Sequence, residues 1–237
     1  MIYVTSDLHG LAPARFFALL EQGGFGQGER DFLYILGDVI DRGPHGVELL
    51  HWIFSRPDVQ LLRGNHEQML LDAAFLFDLI TEDSVETLDE RRMDLLATWL
   101  LNGADPTLDA LRTLHRQSPE MLEALLEELE ETPLWEAVTV GERDFLLTHA
   151  GLGGFSADKR MSQYTPRQLL WSRPSLEDRY FDHITTVFGH TPTQIYGAQY
   201  KGRMLRTETW IDIDTGSAAG GTPMLLRLDD MAEFYLS

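Results

Sequence analysis

Three times within its first 67 residues the chain runs through a short apolar stretch, a polar loop and then an apolar helix-like stretch. Ile2–Thr5, β-branched and apolar, leads into SDLHG and then Leu11–Gln22, whose helical spacing ends at Gly23-Gly24. Phe32–Leu36 leads into GDVIDRGPHG and a helix from about Val47 to Phe54, and Val59–Leu62 leads into RGNH and a helix from about Glu67. Strand–loop–helix units of this kind build a sheet covered by helices and collect the strand ends on one edge, where α/β folds hold ligands. The expected fold class is α/β, with three polar loops converging on that edge.

From about Leu70 to Thr132 the pattern changes to helical segments rich in Leu, Glu and Asp, broken near Gly103–Pro106 and at Ser118-Pro119. This reads as a helical cap insertion, about 70–132, in a single domain spanning 1–237. Positions 78–131 hold 15 acidic and 4 basic residues, a net of -11, so most of the chain's negative charge lies here. Such a run is either a solvated helix surface or a filter that repels nucleic acid or attracts a basic peptide. Beyond it, Ala137–Val140 and Asp144–Thr148 flank Gly141-Glu142 as a hairpin, and Thr185–Phe188, Trp210–Ile213, Met224–Leu228 and Ala232–Leu236 read as strands.

Composition removes several classes of chemistry. There is no cysteine, which excludes disulfides, thiolate metal sites and a cysteine nucleophile, so any metal must sit on His, carboxylate or amide ligands. The 19 Lys and Arg face 38 Asp and Glu, and a formal net charge of -19 works against nucleic acid or a membrane surface as partner. No signal-peptide pattern and no long apolar span is present, so a cytoplasmic protein is expected.

The loops carry the chemistry. Asp7 and His9 follow the first strand, and alternation along an extended segment would turn both to one side, suiting a shared cation. In GDVIDRG, Asp38 and Asp41 sit beside Arg42; a carboxylate can bridge two cations and an arginine can hold an anion between them. In RGNHE, Asn65 offers an amide oxygen and His66 a proton near neutral pH, although an Asn-His turn also caps helices. His149 in HAG and His190 in GHT each follow a strand and suit a transition metal, whereas His45, His51, His115 and His183 have no such company.

The ordered set D-x-H-G, G-D-x-x-D-R-G, G-N-H-E, H-A-G and G-H, spread over residues 7–190, resembles the phosphoprotein phosphatase family of calcineurin-like metallophosphoesterases. The I-D-I-D-T-G run at 211–216 resembles the end of that fold, and W-L-L-N-G at 99–103 and W-S-R at 171–173 resemble its small bacterial and phage members. Ser6 departs from the pattern, which has Gly before the first Asp; packing of the turn should feel this more than coordination does.

The resemblance implies a two-sheet β sandwich flanked by helices, with the insertion beside the metal-bearing edge. It implies Asp7, His9 and Asp38 on one divalent cation and Asp38, Asn65, His149 and His190 on a second, with a shared water activated for in-line attack on phosphorus. Manganese is the expected activating ion in vitro, and iron, zinc, nickel or cobalt also suit these ligands. Arg42, Arg63 and Arg173 correspond to phosphate-binding arginines, His66 to the general acid and Asp41 to the carboxylate that orients it. The implied activity is a protein Ser/Thr phosphatase acting on a phosphorylated protein or a small phosphoester, with diadenosine tetraphosphate hydrolysis as the alternative. Trp99, Tyr164 and Trp171 would then be either core residues or an adenine subsite.

Overall fold

The computed structural model of the chain describes residues 1–77 and 89–236. Two five-stranded sheets lie at its centre. The first contains β1 (Ile2–Thr5), β2 (Phe32–Ile35), β3 (Val59–Leu61), β9 (Met224–Arg227) and β10 (Ala232–Tyr235), in the order β10-β9-β1-β2-β3. The second contains β4 (Trp135–Val140), β5 (Arg143–Thr148), β6 (Ile184–Phe188), β7 (Leu205–Arg206) and β8 (Trp210–Asp212), in the order β4-β5-β6-β8-β7. β1, β2 and β3 run parallel in the first sheet, and β5, β6 and β8 run parallel in the second.

Side-chain alternation explains the layering. In β1, Tyr3 joins a core with the helices while Val4 joins a core between the sheets, and in β2 Leu33 and Ile35 face the helices while Leu36, just beyond it, faces the second sheet. The second sheet repeats this: Phe145, Leu147, Val187 and Ile211 face inward, and Leu146, Phe188 and Trp210 pack under an outer layer of loops with Tyr164 and Tyr180. Strands buried on both faces keep apolar residues on both sides, which is why they read as near-continuous hydrophobic runs.

The helices against the first sheet are α1 (Pro13–Gly23), α2 (Gly46–Phe54), α3 (Asn65–Asp72), α4 (Glu90–Leu101), α5 (Asp105–Gln117) and α6 (Pro119–Glu131). α1 starts on a proline, ends in a left-handed Gly24 at φ 80° and buries Phe16, Leu19, Leu20 and Gly23 along one stripe. Within the stretch expected as a cap, Trp99, Leu108, Leu111, Leu122, Leu125 and Leu129 share one core with Phe16, Leu49 and Leu70. These helices therefore extend the packing of the first sheet's outer face. Of the acidic run 78–131, positions 78–88 lie outside the described residues.

The expected strands and the hairpin at Gly141-Glu142 are present, with β4 starting two residues early at Trp135. β7, and a short helix α7 (Pro166–Leu170) whose N-cap Thr165 accepts from Gln168 N, were not anticipated. No helix of the described residues is long and apolar enough to cross a membrane.

Candidate active site

Each parallel strand delivers a polar loop to the same edge. Asp7 and His9 follow β1, Asp38, Asp41 and Arg42 follow β2, and Asn65 and His66 open α3 after β3. From the second sheet, His149 follows β5, His190 follows β6 and Asp214 follows β8. Asp7 N donates to Gly37 O (3.1 Å), His9 N to Asp38 O (2.9 Å) and Gly10 N to Val39 O (2.7 Å), so the first two loops are laced together. His190 N donates to Asp7 Oδ2 (3.0 Å), which joins the two sheets across the site.

The backbone here is strained. Among the described residues seven non-glycine positions have positive φ, and six of them are Asp7, His9, Asp38, Asp41, Arg42 and His190. This corrects the expectation that strand alternation aligns Asp7 and His9: at φ 54° and 43° both are left-handed, and the loop turns them inward. Non-glycine residues persist there only where surrounding contacts over-determine them, and such positions cluster at functional sites. Gly64 and Gly189 have the opposite reason for their identity. A Cβ on Gly64 would run into Asp38, and one on Gly189 into Ser6 Oγ and Asp7 Oδ2.

The pocket holds about 290 Å³ and is lined by the buried Asp7, His9, Asp38, Asn65, His66, His190 and Asp214, by the exposed Arg42 and Arg173, and by Asn102, Trp171, Pro192 and Ile195. Hydrogen bonds fix the imidazole tautomers. His149 Nδ1 donates to Leu36 O (2.6 Å), which leaves its Nε2 lone pair facing Asn65 Oδ1 (2.9 Å), His190 Nδ1 (3.2 Å) and Asp38 Oδ1 (3.4 Å). His9 Nδ1 donates to Ile40 O (3.2 Å), which leaves its Nε2 3.8 Å from both Asp7 Oδ1 and Asp38 Oδ2.

Two buried groups, His9/Asp38/His66 and Asp38/His149/His190, bring ligand atoms within 4.8 Å of one another, with Asp38 common to both. Converging lone pairs and carboxylates are what a cation satisfies: Asp38, His149 and His190 fit one ion, and His9 Nε2 with the Asp7 and Asp38 carboxylates fits a second, His66 being engaged by Asp41. The electrostatics agree. Burial, then the neighbouring Asp7 and Glu67, push the Asp38 carboxyl well up, and burial with Asp7 does the same to Asp214. Burial and the nearby His66 hold His9 down to about 3, and burial with His149 and Arg173 lowers His190. These imidazoles therefore stay neutral, as ligands must.

His66 sits apart in function. Its Nδ1 donates to Asp41 Oδ2 (2.6 Å), and Arg42 donates to its Nε2 (3.2 Å) and to His9 Nε2 (3.2 Å). Burial raises Asp41 to about 6, opposed by the neighbouring Thr107 side chain, the Trp99 N–H and Arg42. Arg173 lines the pocket and donates to Thr191 Oγ1 (3.1 Å).

Arg63 is not brought to the pocket. Its guanidinium donates to Gln68 Oε1 (3.0 Å), Thr132 Oγ1 (3.3 Å) and the Glu130 carbonyl, tying α3 to the end of α6. Of the aromatics, Trp99 is fully buried and Tyr164 lies in the outer core, whereas Trp171 is on the pocket wall. Ser6 Oγ donates to Asp7 Oδ2, so the residue that replaces glycine adds a bond to the first carboxylate. His45, His51, His115 and His183 lie outside the pocket lining.

Sequence reasoning missed Glu67 and Asp214. The Glu67 carboxylate accepts from Asp38 N (2.8 Å), Val39 N (2.8 Å), Ile40 N (3.3 Å) and Gly64 N (2.9 Å) and so holds the GDVIDRG loop. Its signal was the Glu at the third position of α3, whose side chain reaches back to the N-cap Gly64 N–H, the half of a capping box that a glycine N-cap allows. The signal for Asp214 was its place just beyond a parallel strand.

A sequence profile of calcineurin-like phosphoesterases matches residues 1–214. The chain belongs to the calcineurin-like phosphoesterase family. As a member, it is a phosphoric ester hydrolase of a family that depends on two metal ions. It is 29% identical over 232 residues to serine/threonine-protein phosphatase 1 of Salmonella typhimurium, covering 96% of this chain and 91% of that protein. It is 28% identical over 201 residues to a symmetrical bis(5'-nucleosyl)-tetraphosphatase of Chromobacterium violaceum, covering 81% of this chain but 57% of that protein. Among solved structures, a candidate diadenosine tetraphosphatase superposes with a TM-score of 0.62 at 16% identity, over 98% of this chain and 90% of that one. A cold-active protein tyrosine phosphatase superposes at 0.53 and 17%, over 100% and 78%. At those identities the structural likeness speaks for the phosphoesterase fold alone.

Proposed function

We propose that this phosphoesterase is a phosphomonoesterase that removes one phosphoryl group from phosphoserine or phosphothreonine in proteins. The observation that carries the choice is the wall of the pocket. Arg42 and Arg173 are its guanidinium groups, and beside them the wall turns apolar at Pro192, Ile195 and Trp171, with Ile195 64% and Trp171 38% exposed. Arg179, a few residues beyond Arg173, is paired with Glu208. A single dianion followed by a carbon skeleton suits that wall; a tetraphosphate asks for further cationic donors along its length. The Salmonella relative, 29% identical over 232 residues and named a serine/threonine-protein phosphatase, favours the same choice.

In this reading Asp7, His9 and Asp38 hold one cation, and Asp38, Asn65, His149 and His190 hold the other, with manganese as the activating ion in vitro. Bound there, two divalent cations would acidify a water and offset charge at phosphorus. Arg42 and Arg173 orient the phosphoryl oxygens, and their planar donors strengthen as negative charge develops on them. The ester P–O bond breaks with its electron pair going to the leaving oxygen, which takes a proton from His66 Nε2, while the water oxygen becomes the fourth oxygen of phosphate and the proton that water gives up passes to solvent, from which His66 is reprotonated. Asp41 keeps the His66 Nδ1 proton in place, so Nε2 is the atom that faces the substrate. Burial, Arg42 and His149 hold His66 well below its ordinary range, and a bound dianion would supply the opposing charge. Arg63 has no role at phosphorus in this reading, and a cytoplasmic site of action belongs to the same proposal.

The test compares turnover of a phosphoserine peptide with that of diadenosine tetraphosphate in the presence of manganese, using Asp38→Asn and His66→Ala as controls. Peptide turnover that is lost in Asp38→Asn is the expected result. Preferential cleavage of the dinucleotide would overturn the reading and make exposed Trp171 the first candidate for stacking on adenine.

A further inference from the structure

Asp41 reaches His66 from β2, but what holds Asp41 comes from far along the chain. Trp99, fully buried in α4, donates its indole Nε1–H to Asp41 Oδ2 at 2.9 Å. That is the same oxygen that accepts His66 Nδ1–H at 2.6 Å. The backbone beneath is held from the same region: Asp41 N donates to Thr107 Oγ1 (2.9 Å) and Arg42 N to Gly103 O (2.8 Å). Asp41 and Arg42 are consecutive left-handed residues, at φ 68° and 67°, so they depend on such outside partners.

We propose that Trp99, with the Gly103 turn and Thr107 beyond it, is a positioning element for the proton donor: its indole N–H fixes the Asp41 carboxylate so that His66 presents Nε2 to the leaving oxygen. A buried tryptophan usually finds some acceptor for its N–H. Here the acceptor is the one oxygen that orients the acid, and two donors on one carboxylate oxygen fix its plane and the direction of its lone pairs. Trp99, Gly103 and Thr107 then link the helices at 90–117 to the chemistry from behind the pocket, whereas Asn102 of the same WLLNG run lies on its wall. The inference rests on the reading of His66 as the proton donor.

The experiment separates proton donation from folding by the leaving group. Phosphoserine leaves as an alkoxide and needs a proton, whereas p-nitrophenol leaves from its phosphate with little help. In the full chain loaded with manganese, Trp99→Phe keeps the ring and removes the N–H. It should lower kcat on a phosphoserine peptide about tenfold and leave kcat on p-nitrophenyl phosphate within about twofold, with KM unchanged for both. His66→Ala should show the same asymmetry at about 100-fold or more. Equal losses on both substrates in Trp99→Phe, or no loss on either, would overturn the proposal. If His66→Ala itself slows both substrates alike, the proton-donor reading has failed instead.

A second readout does not depend on turnover or on Trp99→Phe folding. The ¹⁵N-indole signal of Trp99, assigned by replacing the other four tryptophans one at a time with Phe, should shift in metal-free His66→Ala, because both donors share Asp41 Oδ2. An unmoved signal would show that the indole and the imidazole are not linked, and would overturn the proposal.

Discussion

Glu67 does not line the pocket, yet four backbone N–H groups from two loops end on its buried carboxylate. Removing it leaves several donors unpaired where water cannot reach, at about 1–3 kcal/mol each. Glu67→Ala should therefore lose about 3 kcal/mol or more of stability in urea denaturation, and Glu67→Gln, which keeps one acceptor oxygen, should lose less. A Glu67→Ala midpoint equal to wild type would show that the loop holds itself. Arg63 and Arg173 make the complementary pair. Arg173 lines the pocket, so Arg173→Ala should lower kcat/KM about 100-fold and weaken inhibition by inorganic phosphate, with little change in melting temperature. Arg63 joins α3 to the end of α6, so Arg63→Ala should lower the melting temperature and leave phosphate inhibition within about twofold. Asp7, Asp38, Asn65, His149 and His190 were legible because each follows an apolar run in a polar motif. Arg63 shows the limit of motif reading: its neighbours Gly64 and Asn65 are at the site, but the direction of its side chain is decided by Gln68 and Thr132. Glu67 was illegible as an anchor because its targets are backbone amides, which no sequence displays.

At the scale of elements, the strands were readable because burial on both faces leaves long apolar runs, and the loops were readable because each polar motif interrupts one. β7 was not, because a two-residue pair such as Leu205–Arg206 depends on Leu205↔Asp212 and Arg206↔Ile211 across the sheet, not on any local pattern. The helices at 90–131 were legible as helices, but their contact with Asp41 was not. Trp99 lies 58 residues from Asp41, and its partner is set by how α4 packs beside α3. The turn that ends α4 carries a test of that packing. Gly103 sits at φ 94°, and a Cβ there would lie 2.9 Å from Arg42 Cγ. Gly103→Ala should cost about 1–3 kcal/mol from the strained conformation, and it should displace Arg42 enough to raise KM for p-nitrophenyl phosphate. Loss of stability with KM unchanged would show that the turn supports the fold and not the arginine.

Charge acts on the molecule as a whole. Asp7, Asp38 and Asp214 crowd one pocket in a chain of net charge -19, so metal ions should stabilise the fold as well as activate it. A ligand bound only by the folded state adds about 2.7 kcal/mol at 100 times its dissociation constant. Manganese should therefore raise the melting temperature of the chelator-treated wild type, and raise that of Asp38→Asn, which lacks the carboxylate common to both groups, much less. An equal rise in both would put the stabilising ions elsewhere. The same net charge bears on substrates before they arrive. Exposed charges act over a Debye length of about 10 Å at 0.1 M salt, and that distance shrinks as salt is added. A phosphopeptide with basic flanks is drawn toward this surface, and one with acidic flanks is repelled, until each comes within reach of Arg42 and Arg173. The ratio of kcat/KM for the basic over the acidic peptide should be well above one at about 20 mM salt and fall toward one at about 0.5 M, because screening removes steering. The kcat values should stay constant, since steering ends once the phosphoryl group is seated. A ratio that holds at both salt concentrations would assign the preference to direct contacts at the pocket rim, where exposed Trp171 and Ile195 are the side chains to change first.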